Sequence, residues 1–507
     1  MGMNVMEMIK FLILVALAVL VSACQAASNK VRPPAVAGAF YPDNPAELTR
    51  MIDSWLAKTA PPAEQVVGLV VPHAGYVYSG AVAAEAYAWL KGKKVERVVV
   101  ISPSHVERFP FAAVYDGLAY STPLGKIPVD ADFAAALAKT SRMIQISGRG
   151  HDALGSRAEH ALEVQLPFLQ RVLGEFKLVP VVMGEQSYEI CRALGLALAA
   201  NIKDSSTVIV ASSDLSHYHP YELAVKLDRR TLRAIEEWDY LSFLRNTEAG
   251  VWEACGAGPI AAAMIACERL GARQARLVKY ANSGDTSGDR SRVVGYGAMV
   301  FIKGGRANSR SPELNLSPAE QAELFRIARA SVEAAVRRKN APEAATMYEN
   351  LMQERGAFVT LREHGQLRGC IGYPNPFKPL IVAVRDVAAY AATRDDRFRP
   401  VMPEELPLLE YEISVLSPLR RTLDVNEIEV GRHGLLIVKE NHEGLLLPQV
   451  PVEQGWDRKT FLEQACLKAG LPSDAWKSSD TDIFSFTALV LEEPGRAGPV
   501  RKTERRD

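Results

Sequence analysis

The sequence has no excess of charge of either sign and little cysteine. Basic and acidic side chains each number 59 among 507 residues, so the formal net charge is +0. Proteins that bind nucleic acid carry a basic excess or stripe, and its absence predicts no nucleic-acid partner. We find no internal repeat and no coiled-coil heptad run. The remaining composition, 48% hydrophobic and 23% charged, is that of a globular protein long enough for two or three domains.

A long apolar run occurs at the N-terminus, where Phe11–Val21 follows Lys10. It is too short to span a bilayer but has the length of a signal-peptide core. The run ends in Leu-Val-Ser-Ala before Cys24, which resembles a bacterial lipoprotein signal; an ordinary secretory signal with an incidental cysteine is the alternative. We therefore expect a signal peptide over residues 1–23, lipidation of Cys24, and an extracytoplasmic protein anchored to the cell membrane or outer membrane. Gln25, which is not an aspartate, carries no signal for inner-membrane retention.

Five cysteines remain after Cys24, and no two cysteines form a C-x-x-C pair. Outside the cytoplasm disulfides are permitted. The odd number leaves at least one thiol unpaired, and the spacing determines no disulfide connectivity.

The chain beyond this segment divides into two predicted domains. Residues 32–303 alternate strand-like runs with helical stretches, which predicts an α/β domain with a mostly parallel sheet. Residues 304–316 lack periodicity and are predicted to be a linker. Residues 317–494 open with the capping box Ser317-Pro318-Ala319-Glu320, and their order of elements predicts a smaller α+β domain with an antiparallel sheet. The charged residues 495–507 are expected to be disordered.

Three short apolar runs in the first domain each end in a small-residue turn that carries a histidine. They are Val66–Val71 before His73, Arg97–Ile101 before His105, and Thr207–Ala211 before His217. Runs this short and rich in valine and isoleucine are typical of buried parallel strands. Because the carboxyl ends of such strands form the ligand crevice of an open α/β sheet, the three turns predict a metal or catalytic site. A single histidine in such a place is more often a capping or hydrogen-bonding residue.

Two further residues complete the candidate site. Cys255 lies in a tight turn before a small-residue helix, Gly256–Leu270, and a thiol at a helix N-terminus has a lowered pKa that suits metal binding or nucleophilic chemistry. Asp214 lies three residues before His217 and is either a ligand or an acceptor that holds an imidazole tautomer.

The other histidines of the first domain carry weaker expectations. His160 faces the crevice from a helix or lies on the polar face of that helix, and we favour the second interpretation. His219 and the His151-Asp152 pair are interpreted as loop residues.

Several motifs of residues 32–303 together resemble the Memo-like family. They are Ala37-Gly38-Ala39-Phe40-Tyr41-Pro42, Pro72-His73-Ala74-Gly75-Tyr76-Val77-Tyr78-Ser79-Gly80, Ser102-Pro103-Ser104-His105, Glu159-His160, Ser213-Asp214-Leu215-Ser216-His217 and Cys255-Gly256. The family is structurally similar to class III extradiol dioxygenases, which are non-haem iron enzymes. The resemblance implies a metal site at His73, His105 and Cys255, with Asp214 and His217 beside it as catalytic residues.

One residue departs from the dioxygenase pattern. Those enzymes bind iron through two histidines and a carboxylate, whereas Cys255 takes the third position here. A thiolate is a softer ligand and favours copper or a different iron chemistry. We therefore expect an iron or copper ion and two alternative functions: a dioxygenase-like oxidoreductase, or a non-catalytic metal- or peptide-binding scaffold. The sequence does not identify the small-molecule or peptide ligand.

The second domain resembles the AMMECR-like family over about residues 317–492. The motifs are Leu367-Arg368-Gly369-Cys370-Ile371-Gly372, Asp395 with Arg397-Phe398, Glu412-Ile413-Ser414-Val415-Leu416-Ser417, Gly455-Trp456, and Lys468-Ala469-Gly470-Leu471-Pro472. The activity of that family is not established. Bacterial members of the two families often occur together with a radical SAM protein, which implies a functional link to such a partner.

Within this domain, Arg368 and Cys370 alternate on a predicted strand and so share a face. Arg368 is positioned to lower the pKa of Cys370, which would make that thiol reactive. The alternative, which we favour, is that Cys370 packs as a small hydrophobic residue in the sheet.

Overall fold

The computed structural model divides into two compact units, Met1–Asn308 and Ser309–Asp507. The residues that the structure describes are 30–58, 63–151, 158–304 and 315–493. The predicted signal peptide, Cys24, most of the predicted linker and the C-terminal tail lie outside these ranges. Among the described residues, none of the helices combines the length and apolar character that crossing a membrane requires.

The first unit alternates strands and helices. Its described strands are β1 (Val31–Arg32), β2 (Gln65–Val71), β3 (Arg97–Pro103), β4 (Ala112–Val114), β5 (Ala119–Thr122), β6 (Gly125–Pro128), β7 (Ile144–Ile146), β8 (Lys177–Met183), β9 (Thr207–Ser212), β10 (His217–His219), β11 (Ala272–Asn282) and β12 (Val293–Lys303). Its described α-helices are α1 (Pro45–Leu56), α2 (Tyr76–Tyr87), α3 (Ala131–Thr140), α4 (Leu166–Leu173), α5 (Tyr188–Asn201), α6 (Tyr221–Glu236), α7 (Tyr240–Glu248), α8 (Ala257–Arg269) and α9 (Ser283–Ser287). Short 3-10 helices lie at Ala88–Leu90 and Glu163–Gln165.

The main sheet of the first unit is mixed, which corrects the prediction of a mostly parallel sheet. Among the described residues its order is β10-β12-β2-β9-β3-β8-β4-β7, with β11 on β12. The strands β2, β9, β3 and β8 form a parallel block. At one edge β12 runs antiparallel to β2, β10 and β11, and at the other β4 runs antiparallel to β8 and parallel to β7. The link from β11 to β12 is too short for the crossover that parallel pairing needs, so these strands pair antiparallel. The strands β1, β5 and β6 form a separate small sheet.

Both faces of the parallel block are covered by helices. Val98 and Val208 belong to the core cluster that contains Tyr87 of α2. On the opposite face, a Cβ atom on Gly68 would lie 2.7 Å from the sulfur of Cys267 in α8. Strands that are buried on both faces need apolar side chains at successive positions, which accounts for the unbroken valine and isoleucine runs.

The second unit contains an antiparallel sheet, as predicted. Its described strands are β13 (Ala357–Glu363), β14 (Gln366–Tyr373), β15 (Leu409–Leu416), β16 (Arg420–Arg421), β17 (His433–Lys439), β18 (His442–Leu446) and β19 (Asp482–Glu492). Its described α-helices are α10 (Pro318–Val336), α11 (Leu380–Thr393), α12 (Gln449–Glu453) and α13 (Arg458–Lys468). Short 3-10 helices lie at Glu349–Met352, Leu406–Leu408, Val425–Glu427 and Ala475–Lys477.

The strand order of this sheet is β14-β13-β15-β19-β17-β18, with β16 on β19. Two local predictions are confirmed here. Ser317 and Glu320 form the predicted capping box at the start of α10. His364 and Gly365, both with positive φ, make the tight turn between β13 and β14.

A buried ion pair holds the N-terminal segment of the first unit in place. The carboxylate of Glu163 is inaccessible to solvent and accepts a hydrogen bond from the guanidinium of Arg32. It also accepts the backbone N–H groups of Ala35 and Val36, at 2.8 and 3.0 Å, and the hydroxyl of Tyr41 at 2.6 Å. One carboxylate therefore ties four groups of the N-terminal segment to the residues that lead into α4.

We expect Arg32→Ala to lower the free energy of unfolding of the first unit by about 3–5 kcal/mol, because it leaves the buried Glu163 carboxylate without its cation. Urea denaturation of the full chain measures this loss. The matched control is Arg171→Ala, which removes an exposed pair with Asp53 and should cost less than about 1 kcal/mol. Equal losses in the two variants would contradict the assignment of Arg32 and Glu163 as a structural clamp.

Candidate metal centre

Three turns of the first unit meet because their strands are adjacent and parallel. Strand β9 lies between β2 and β3, with Val71 paired to Ser212 at one end of the register. The turns that follow these strands therefore lie side by side at the carboxyl edge of the sheet. Two of them bring His73 and His105 together, and Cys255 joins these residues from the turn before α8. The potential ligand atoms of the three side chains all lie within 4.8 Å of one another.

His73 is held by a buried polar network behind its ring. The hydroxyl of Ser212 donates to the carbonyl of Ala161 at 2.6 Å and accepts the amide of Gln165 at 2.8 Å. Its oxygen, 2.9 Å from His73 Nδ1, therefore accepts the Nδ1–H. This tautomer leaves the lone pair of Nε2 facing the sulfur of Cys255, 3.0 Å away. Burial is the largest cause that lowers the pKa of His73 well below its usual value, so the ring is neutral.

His105 is oriented by the buried carboxylate of Glu159. That carboxylate accepts the backbone N–H of His105 at 2.6 Å and its ring Nδ1–H at 3.1 Å, together with the N–H groups of His160 and Ala161. Burial opposes ionisation of Glu159, but the hydrogen bonds and charge of His105 outweigh it and lower the pKa to about 2. Burial alone would lower the pKa of His105, but the hydrogen bond and the charge of Glu159 outweigh it, so the pKa of His105 is raised. The Nε2 atom of His105 is left for a ligand.

Cys255 is brought to the site by a turn that only glycine can complete. A Cβ atom at Gly256 would lie 2.2 Å from the carbonyl oxygen of Ser212. The backbone N–H of Asp214 donates to the sulfur at 3.2 Å. Burial raises the pKa of the Cys255 thiol, so the expected lowering by a helix N-terminus is wrong here, because α8 begins only at Ala257 and desolvation dominates.

Asp214 connects two of the turns, while His217 lies beside them. The carboxylate of Asp214 accepts the backbone N–H of His73 at 2.8 Å, and its own N–H contacts Cys255. Burial raises the pKa of this carboxyl group. His217, in β10, donates Nδ1–H to the carbonyl of Leu215 at 2.8 Å and is not part of either group of potential ligands among the described residues.

His160 belongs to the site, and the preferred interpretation of it as a polar helix-face residue is wrong. Helix α4 begins only after this segment, so His160 is free to face the crevice. Its ring lies 4.8 Å from that of His105, 5.4 Å from that of His73 and 4.6 Å from that of Phe40, measured between centroids. Burial lowers its pKa to about 4. The Glu159-His160 pair stood among the family motifs, which was the signal that could have identified both residues.

Two histidines interpreted as loop residues have defined structural partners. His219 lies in β10, and its Nε2 is 2.7 Å from a carboxylate oxygen of Glu253. His151 is buried against the hydroxyl of Tyr120, and burial lowers its pKa to about 3. Asp152 lies outside the described residues.

In the second unit, Arg368 and Cys370 have different partners. The guanidinium of Arg368 forms two hydrogen bonds to Glu405, at 2.9 and 3.1 Å. The thiol of Cys370 accepts the hydroxyl of Thr360 at 3.3 Å. Burial raises the pKa of Cys370, and the cation that opposes this is Arg397. The geometry therefore does not support activation of Cys370 by Arg368, the less favoured of the two interpretations.

Comparisons with known proteins match both halves of the chain. A family model described as Memo-like protein matches residues 32–300, and one described as AMMECR1 matches residues 325–491. The MEMO1 family protein MK0963 of Methanopyrus kandleri is 39% identical over 286 residues, covering 54% of this chain and 99% of that protein. The MEMO1 family protein MJ0403 of Methanocaldococcus jannaschii is 38% identical over 291 residues, covering 54% and 99%.

A solved structure, that of the uncharacterized protein PH0010 from Pyrococcus horikoshii, is also similar to part of this chain. The two share 42% sequence identity at a TM-score of 0.34, over 34% of this chain and 92% of that one.

We expect Gly256→Ala to destabilise the first unit by about 1–3 kcal/mol or more, because the new methyl group would overlap the backbone of Ser212. Thermal denaturation of the full chain measures the loss. Gly75→Ala is the matched control in the neighbouring turn, since its φ is −55° and its Cβ atom would meet nothing closer than 3.6 Å. That variant should cost no more than about 1 kcal/mol. A stable Gly256→Ala protein would contradict the close approach.

Proposed function

The chain belongs to the Memo-like protein family through residues 32–300, and we propose that this domain binds one redox-active metal ion through His73, His105 and Cys255. The observation that carries the proposal is the convergence of one thiol and two imidazoles within 4.8 Å. These residue types are strong ligands for transition metals, and the three side chains come from separate turns that no local interaction would otherwise bring together.

The donor atoms fit a single ion. Nitrogen and sulfur ligands bind transition metals at about 2.0–2.3 Å, so atoms that share an ion are separated by roughly 3–4 Å. The 3.0 Å separation of His73 Nε2 and Cys255 Sγ lies at the short end of that range. The Nδ1 atoms of His73 and His105 are hydrogen-bonded to Ser212 and Glu159. Metal-binding histidines commonly donate their second ring N–H to such a partner, and here this leaves both Nε2 atoms available to bind the ion.

The thiol distinguishes this donor set from that of an extradiol dioxygenase. A thiolate in place of a carboxylate favours copper or an iron chemistry other than ring cleavage. A bound iron or copper ion would supply one-electron redox chemistry. The proposal is therefore an oxidoreductase of dioxygenase-like fold, with three protein ligands and positions left for small molecules.

Two nearby residues have roles that do not require them to bind the ion. Asp214 links the two turns, because its carboxylate accepts the backbone N–H of His73 and its own N–H donates to the sulfur of Cys255. His217 uses Nδ1–H on a backbone carbonyl, so Nε2 is the atom at which this ring holds or accepts a proton. We propose His217 as the acid–base residue beside the metal.

The full chain should retain about one iron or copper ion after purification, because the three ligands form one site. His73→Ala, His105→Ala and Cys255→Ala should each lose most of this metal, measured by mass spectrometry of metal content against protein concentration. The control is Cys267→Ala, a buried cysteine of α8 that lies outside both groups of potential ligands among the described residues. Equal metal in the wild type and the three site variants would contradict the site.

Oxygen consumption separates the two functions once metal binding is established. A metal-loaded oxidoreductase should reduce dioxygen in the presence of ascorbate, and Cys255→Ala should abolish the reaction. Metal binding without any consumption would favour a non-catalytic scaffold.

We also propose that the protein is anchored to a membrane through a lipid on Cys24. The support is the apolar run of the N-terminus and the Leu-Val-Ser-Ala-Cys sequence that ends it. Cells expressing the full chain should incorporate labelled palmitate into it, and Cys24→Ala should abolish the label while Cys466→Ala leaves it unchanged. Labelling that persists in Cys24→Ala would contradict the proposal.

A further inference from the structure

The ring nitrogens of His160 have no hydrogen-bond partner among the residues that the structure describes. Its Nδ1 lies 3.8 Å from Oε1 of Glu159, which is too far for a hydrogen bond. That oxygen already accepts the ring N–H of His105 and the backbone N–H groups of His160 and Ala161. The imidazole therefore has an N–H with no acceptor in the described protein.

This ring lies on the accessible side of the proposed ligands. Its side chain is 21% exposed and that of His105 is 33% exposed, whereas His73 is buried at 2%. The ring stacks on His105 and meets His73 edge-on, with Phe40 packed against it. His160 is therefore a partly exposed ring in contact with both candidate histidine ligands.

His160 is not positioned as a fourth ligand. The group that includes His73, His105 and Cys255 within 4.8 Å does not include it, and its own group is formed with His105 and Glu159. A histidine that is next to a metal site but outside the ligand distance is suited to contact whatever occupies the remaining coordination position.

We propose that His160 is a positioning residue that donates a hydrogen bond to a small metal-bound ligand carrying an acceptor atom, such as an anion or an oxygen-containing molecule. The proposal rests on the proposed metal site. An imidazole retains at least one N–H in either protonation state, so the donor is present throughout the physiological pH range.

Azide binding to the Co(II)-loaded full chain tests this role. The wild type, His160→Phe and His160→Gln are loaded with Co(II), the metal content of each is measured, and azide is titrated while the visible absorption of the cobalt is recorded. His160→Phe keeps an aromatic ring that can contact His105 and Phe40 but has no N–H, whereas His160→Gln restores an N–H donor.

We expect all three proteins to bind cobalt. Azide should bind to His160→Phe about tenfold more weakly than to the wild type, because a hydrogen bond to an anion is lost, and His160→Gln should recover part of the difference. If His160→Phe does not fold, His160→Ala replaces it, with the same expected loss. A structural role alone predicts no recovery by glutamine.

Three results would overturn the inference. Equal azide affinity in the wild type and His160→Phe would remove the contact while leaving the metal site intact. Loss of cobalt from both His160→Phe and His160→Ala would make His160 a ligand or a structural residue instead. No cobalt in the wild type would contradict the proposed function itself, and the positioning role with it.

Discussion

The parallel pairing of β2, β9 and β3 is the constraint on which the candidate site depends. Parallel strands point their carboxyl ends to the same edge of a sheet, so the turns after them must share a small volume. His73 and Asp214 follow two of these strands and are joined by a hydrogen bond from backbone to carboxylate. Cys255 reaches the same volume from the turn before α8, held to Asp214 by the contact between its sulfur and a backbone N–H.

The short segment before α4, residues 159–165, organises the other side of the site. Glu159 orients His105 through a hydrogen bond to its ring. The carbonyl of Ala161 and the amide of Gln165 hydrogen-bond to Ser212, which contacts His73. Glu163 accepts hydrogen bonds from the N-terminal segment of the unit. These polar groups are buried, and each loses hydration that only a well-placed partner can replace. The same contacts that satisfy the buried groups therefore also set the tautomers of the two imidazoles, so stability and ligand geometry depend on one network.

Features that depend on local pattern could be predicted, and those that depend on distant partners could not. The valine and isoleucine runs, the capping box at Ser317 and the hairpin turn at His364 are encoded by neighbours in sequence. The antiparallel strands at the edges of the first sheet were missed because strand direction depends on connections and pairing across the sheet. The burial of His151 and the raised pKa of the Cys255 thiol were missed because desolvation reflects what packs around a group, not its position relative to a helix.

By itself, the sequence determined which residue types end the strands and that three of those ends carry histidines, because strand periodicity and turn residues are properties of short segments. It also determined that a cysteine, Cys255, lies in a turn before a small-residue helix. Only the tertiary structure decided that His73, His105 and Cys255 meet, that His217 remains beside them and that His160 joins the crevice. Those outcomes depend on strand order and on buried hydrogen bonds between residues more than a hundred positions apart, such as that between His73 and Asp214, which no local pattern encodes.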